Sequence, residues 1–262
     1  MNFLFSFGLL AQQASVCEIN GRPLSQNIAK RNVINELSIV GRPETERLPF
    51  YFRPIDLQPI PLEIVTPEYR QSLQQRNEFL YMRADAVKAL EQMLTTASRE
   101  GISLFAHSSY RDYQVQCSVF SRKVKSDMEL KMMSLEQAIL SVNTRSAMPG
   151  QSEHQLGTAV DLVTDIPGIG YKLEYEMQNT PGFLWLQKNA HKYGFILSYP
   201  SSLEVRFDEP NPKTGYIYEP WHWRYIHPVY AKKFRECGNL SLREFLFSVS
   251  KDAKFACFST RR

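Results

Sequence analysis

From residue 83 onward the chain alternates polar and apolar positions in readable patterns. Val87, Leu90, Leu94 and Ala97 recur at i, i+3, i+7 and i+10, the apolar stripe of one helix, which Gly101 ends. An apolar run over residues 102–106 predicts a buried strand leading into the segment Ser108-Ser109-Tyr110-Arg111. Ser134 followed by Gln137 is a capping-box pattern that opens a helix reaching about residue 142. Turn-forming residues over 147–157 predict a loop. The alternation over 158–163 predicts a strand with Ala159, Asp161 and Val163 on one face. Thr180 before Pro181 starts another helix, Gly194 ends it, and residues 195–199 follow as a strand. A turn at 213–215 leads into a strand expected over 216–218, and Ser241 with Glu244 caps a late helix over 245–247. Helices and strands mix without strict β-α-β alternation, and turns join several strands. That order predicts an α+β fold with a small, mostly antiparallel sheet flanked by helices.

The first quarter reads differently. Pro23, Pro43, Pro49, Pro54, Pro59, Pro61 and Pro67 punctuate it, leaving at most a short helix near 27–37. Residues 1–16 carry an apolar core at 3–11 of signal-peptide length, without a preceding Lys or Arg. The expected organisation is therefore a signal segment at 1–16, a Pro-rich arm at 17–75 and a regularly patterned folded domain at 76–262. Cys17, Cys117, Cys237 and Cys257 form no CxxC pair, which argues against a zinc ribbon. Cys237 and Cys257 can pair in an oxidising compartment, and buried free thiols are the other reading.

Composition narrows the function classes. The 262 residues are 43% hydrophobic and 22% charged, with a net charge of +4, values of an ordinary globular chain. No Lys/Arg run supports a nucleic-acid partner. No apolar stretch reaches the ~20 residues of a membrane span.

Two of the five histidines have informative neighbours. His154 sits in Ser152-Glu153-His154 with Asp161 on the strand that follows, and His222 sits in Glu219-Pro220-Trp221-His222-Trp223-Arg224-Tyr225. Two imidazoles and one carboxylate are a ligand set for catalytic zinc, which keeps a fourth position for water. His154, Asp161 and His222 supply that set, and Glu219 is the candidate general base. On a continuous strand Glu219 and His222 would face opposite ways, so Pro220 is expected to interrupt it. Arg111, just past a strand end, is the candidate for stabilising an oxyanion. His107, His191 and His227 read as packed or surface residues.

Three ordered segments resemble the VanY-like D-alanyl-D-alanine carboxypeptidases, zinc peptidases of peptidoglycan. The family's S-G-Y-R-S-x-x-x-Q is found as residues 108–116, with Ser109 for the glycine and Asp112 for the second serine. Its S-x-H-x-x-G-x-A-x-D is matched by Ser152, His154, Gly157, Ala159 and Asp161, and its E-P-W-H-W-R-Y by residues 219–225. The resemblance implies Zn2+ held by His154, Asp161 and His222 in a cleft on the sheet. It makes Glu219 the base and Arg111 the transition-state cation, and places Ser152 and Gln116 in contact with substrate. It further implies removal of a terminal D-alanine from peptidoglycan stem peptides, D,D- or L,D-specific, in the periplasm or cell envelope. The alternatives are an endolysin-like L-alanyl-D-glutamate endopeptidase and a catalytically silent cell-wall-binding module.

Overall fold

The computed structural model describes residues 17–19, 21–24, 61–70, 79–238 and 240–251. The apolar run at 3–11, the helix expected near 27–37 and Cys257 lie outside them. The Pro-rich segment contributes short strands: β1 (Glu18–Ile19) pairs antiparallel with β2 (Arg22–Pro23), and β3 (Leu62–Ile64) pairs with β4 (Tyr81–Arg83).

The chain then enters α1 (Ala84–Arg99), whose expected stripe is its buried face: Val87, Leu90, Leu94 and Ala97, joined by Ala86 and Met93. Fully buried side chains such as Leu90 contribute roughly 1.5–3 kcal/mol each. Past the helix, Gly101 takes φ 76°. Ile102 still donates its N–H to Ala97 at the helix end, at 2.9 Å. That bond delays the next strand, so β5 spans Phe105–Ser108 rather than starting at 102.

Asp112 caps α2 (Tyr113–Leu130), accepting from the Val115 N–H at 2.7 Å. The sequence pattern does not reveal this helix, because its buried face (Tyr113, Gln116, Phe120, Val124, Asp127) interleaves polar groups. A disulfide joins Cys17 to Cys117 and pins the β1–β2 hairpin to α2. Cys237 is disulfide-bonded as well. Neither Cys17 nor Cys117 is therefore a buried free thiol.

Both bonds of the capping box open α3 (Leu135–Asn143). A 3-10 turn over Glu153–Leu156 precedes β6 (Ala159–Val163), which is buried throughout. Thr180 caps α4 (Pro181–Asn189), and Gly194 at φ 89° admits β7 (Phe195–Leu197). The strand expected over 216–218 does not form. Ile217 donates its N–H to Thr144 at 2.8 Å and Tyr218 donates to Phe207 at 3.2 Å, so neither joins a ladder. β8 (His222–Tyr225) leads to α5 (Pro228–Cys237) and to α6 (Leu242–Lys251), which Ser241 and Glu244 cap reciprocally.

The main sheet has the order β5-β6-β8-β7 with every neighbour antiparallel, as expected of the mixed α+β pattern. Val160, Leu162 and Trp223 face the core shared with α1 and α4. Strand pleating turns the intervening Asp161 and its cross-strand partner His222 to the other side. The register thus sets two of the predicted site residues side by side.

Candidate active site

A cleft of about 1250 Å³ opens on that side of the sheet, and its walls include Arg111, Gln116, Ser152, His154, Asp161, Glu219 and His222. All seven residues expected from the sequence reach one cavity.

His154 enters from the 3-10 turn. Its Nδ1 lies 2.6 Å from the carbonyl of Ser109, an atom that only accepts, so Nδ1 carries the proton. The lone pair is then on Nε2, a buried atom without a hydrogen-bond partner. The same two segments are tied again where the Arg111 N–H donates to the His154 carbonyl at 3.3 Å. Ser109 keeps a negative φ, since Met132 and His227 alone among the described non-glycine residues have a positive one. Serine therefore replaces the family's glycine without backbone strain.

The imidazole of His222 presents its other nitrogen, with Nδ1 3.1 Å from Asp161 Oδ1 and 3.9 Å from Glu219 Oε2. Asp161 Oδ2 lies 3.4 Å from His154 Nε2. One ligand atom from each of His154, Asp161 and His222 falls within 4.8 Å of the other two. Tetrahedral zinc with bonds near 2.0–2.1 Å places its ligand atoms about 3.3 Å apart. The 3.1 Å contact of His222 is to Oδ1 and the 3.4 Å contact of His154 is to Oδ2, so each is of that size but through a different oxygen of one carboxylate. The three groups surround one small volume, and the partnerless Nε2 is what a metal would satisfy.

The electrostatics of His154 and Asp161 agree with this assignment, and those of His222 show how strongly the site attracts positive charge. Burial, with the nearby Arg111 charge, lowers His154 to about 4, so its imidazole is neutral. Burial opposes ionisation of Asp161, yet its two histidine neighbours hold the carboxyl well below its usual range. For His222 burial favours the neutral ring, but hydrogen bonds to Asp161 and Glu153 raise it to about 10 in the absence of a cation.

Glu219 lies in the turn before β8, not on the strand, which removes the opposite-face conflict expected of the spacing. Its N–H donates to the Tyr199 carbonyl at 3.1 Å. Burial pushes its carboxyl up to about 7 against the pull of His222. Arg111 donates from Nη1 to Gln116 Oε1 at 3.1 Å and lies 3.6 Å from Asp161 Oδ2, while its buried Nε has no partner. Gln116 is fixed from behind by donating to the Ala147 carbonyl at 2.6 Å. Ser152 is buried in the cleft wall beside His154.

Of the other histidines, His191 accepts at Nδ1 from Arg235 at 2.9 Å, and His227 caps α5. His107 lies in the cleft wall and contributes nothing to the His-Asp-His group.

Sequence reasoning passed over two cleft residues. Glu153 occupies a variable position of its motif, yet its carboxylate touches His222, Ser198 and Arg224. Tyr199 lays its ring against the His222 imidazole, with centroids 4.8 Å apart. The adjacency of Glu153 to His154 was the one available signal for the first. Tyr199 left none.

A family model described as VanY, D-alanyl-D-alanine carboxypeptidase, matches residues 80–228. YodJ of Bacillus subtilis (strain 168), which carries a carboxypeptidase name, is 35% identical over 191 residues, or 73% of this chain and 63% of its own length. The chain thus spans less than two thirds of that relative. Among solved structures, the LdcB LD-carboxypeptidase superposes with a TM-score of 0.60 at 30% identity, covering 89% of this chain and 93% of that one. A vancomycin-resistance D,D-pentapeptidase VanY, solved as a glutamate-to-alanine mutant with Zn(II), gives 0.52 at 30% identity over 70% and 94% of the two chains. VanYB in complex with D-alanine-D-alanine gives 0.53 at 29% identity over 74% and 97%. With the family model matched across more than half its length, the chain belongs to the VanY D-alanyl-D-alanine carboxypeptidase family.

Proposed function

We infer that this protein is a zinc-dependent carboxypeptidase that removes a terminal D-alanine from peptidoglycan stem peptides. The observation that carries the reading is the His154-Asp161-His222 group with Glu219 beside it, 3.9 Å from His222 Nδ1. The zinc and D-alanine-D-alanine complexes of VanY-type structures support it.

His154 Nε2, an Asp161 oxygen and His222 Nδ1 would hold the ion. When bound, zinc supplies Lewis-acid polarisation of the scissile carbonyl and a more acidic water. Glu219 takes a proton from the attacking water and delivers it to the leaving amine, a task suited to a carboxyl raised to about 7. The Arg111 guanidinium, held by Gln116, stabilises the negative charge that develops on the carbonyl oxygen. Ser152 and Gln116, which line the cleft, contact the substrate. Such a substrate places the enzyme in the cell envelope, and the Cys17–Cys117 disulfide agrees with an oxidising compartment.

The test is a panel of penta- and tetrapeptide muropeptides assayed with and without zinc, with products identified by mass spectrometry. Loss of one D-alanine that stops on chelation and returns with zinc is the expected result. Release of the stem after its first residue would replace this reading by an L-alanyl-D-glutamate endopeptidase. Zinc binding without any cleavage would replace it by a cell-wall-binding module, and cleavage that survives exhaustive chelation would remove the metal.

A further inference from the structure

We propose that Glu153 is the positioning residue for His222, orienting its ring so that Nδ1 is the nitrogen turned to the metal; the inference rests on the zinc-site reading above. The two imidazoles of the site are held in different ways. His154 is fixed by a main-chain carbonyl at its Nδ1, and the corresponding anchor of His222 is a side chain.

Glu153 Oε2 lies 3.1 Å from His222 Nε2 and accepts from the Ser198 hydroxyl at 2.7 Å. Its Oε1 accepts from Arg224 Nη1 at 2.6 Å. Each carboxylate oxygen is thus spoken for, and the group cannot rotate without losing a bond. The supports come from separate elements: Ser198 follows β7, Arg224 lies two residues beyond His222 on β8, and Glu153 begins the 3-10 turn that also carries His154. One short turn therefore provides a ligand and the clamp for another.

Asp161 Oδ1 lies equally close to Nδ1, at 3.1 Å, but Asp161 is itself a proposed ligand. Glu153 is not, so its carboxylate at Nε2 holds the proton on that side and leaves the Nδ1 lone pair for a bound ion. Were Glu153 only a counter-ion for Arg224, its second oxygen would not need to meet an imidazole and a hydroxyl together. The Tyr199 ring against the face of His222 limits tilt, whereas Glu153 fixes rotation within the plane.

The experiment compares wild type, Glu153→Gln and Glu153→Ala in the full-length chain. Zinc affinity is read by competition with a chromophoric chelator, and the His222 Nε2 proton is followed by nitrogen-15 NMR with and without metal. Glu153→Ala is expected to bind zinc roughly 10- to 100-fold more weakly and to lose the exchange-protected Nε2 proton. Glu153→Gln keeps an acceptor and the volume, and is expected to recover part of both. Thermal melting and circular dichroism identify a misfolded Ala variant, in which case Glu153→Gln and Ser198→Ala are read instead, with smaller losses in the same direction. Unchanged zinc affinity and an unchanged Nε2 proton in a folded variant overturn the proposal. A wild-type chain that binds no zinc overturns the metal reading instead, and the metal-free NMR comparison still decides whether Glu153 holds the ring.

Discussion

Replacing Cys17 and Cys117 together removes a crosslink between residues 100 positions apart. In the chain-entropy account, a loop of that size restrains the unfolded chain by about 4.7 kcal/mol, and measured bridges typically contribute roughly 2–4 kcal/mol. For a chain of this size each kcal/mol shifts the melting temperature by roughly 2–4 °C. The double serine variant should therefore melt roughly 4–16 °C lower. Substitution is preferable to a thiol reductant because Cys237 is also disulfide-bonded, so reduction would open more than one bridge. Cys17 is 1% exposed, and a double alanine variant separates loss of the bond from the cost of a buried hydroxyl. Melting followed by circular dichroism at fixed zinc concentration is the assay, since any ligand of the native state shifts the midpoint. Turnover at 25 °C should survive, because the bond from Gln116 to the Ala147 carbonyl does not pass through the bridge. A fall of less than about 2 °C in both double variants would refute the reasoning.

Glu219→Gln keeps the shape of the base and removes its proton affinity. Turnover should drop by roughly 10²–10⁴-fold while zinc affinity, measured by chelator competition, stays within a few-fold. Because burial raises Glu219 to about 7, the base is protonated and idle at lower pH and ionised above. The rate profile should therefore rise with pH to a plateau, with a midpoint at or below about 7, since a bound cation favours ionisation. A profile flat from pH 4 to 8 would speak against this carboxyl as the base. Gly194→Ala places a methyl 2.7 Å from Tyr225 Cε2 and 2.9 Å from the carbonyl carbon of His227, at φ 89°. The left-handed backbone and the overpacking together should cost roughly 2–5 kcal/mol in urea unfolding, and an unchanged midpoint would show that the β7 entry relaxes freely.

Those elements that stabilise themselves locally were legible in the sequence. The stripe of α1, the capping box of α3 and the Thr180-Pro181 start of α4 each satisfy helix-end donors or bury a face using neighbours within a few residues. The candidate site was legible for another reason: three ordered segments resemble those of the VanY family, and the β6–β8 register does bring Asp161 and His222 together. Long-range demands were hidden. α2 carries Gln116 and Asp127 inward, which blurs its stripe, because Gln116 serves the cleft and Asp127 answers Arg145 at 2.7 Å. Tyr216 to Tyr218 look like a strand but bond to Thr144 and Phe207 across the fold. The pairing of Cys17 with Cys117 depends on where the hairpin docks, which spacing cannot specify.

Holding one histidine by a peptide oxygen and its partner by a glutamate has an evolutionary consequence. The carbonyl at position 109 survives almost any replacement of the residue that bears it, so that position is free to drift between glycine and serine. Position 153 has no such insurance, and a saturation library should favour carboxylate and amide side chains there, which can still accept from the ring.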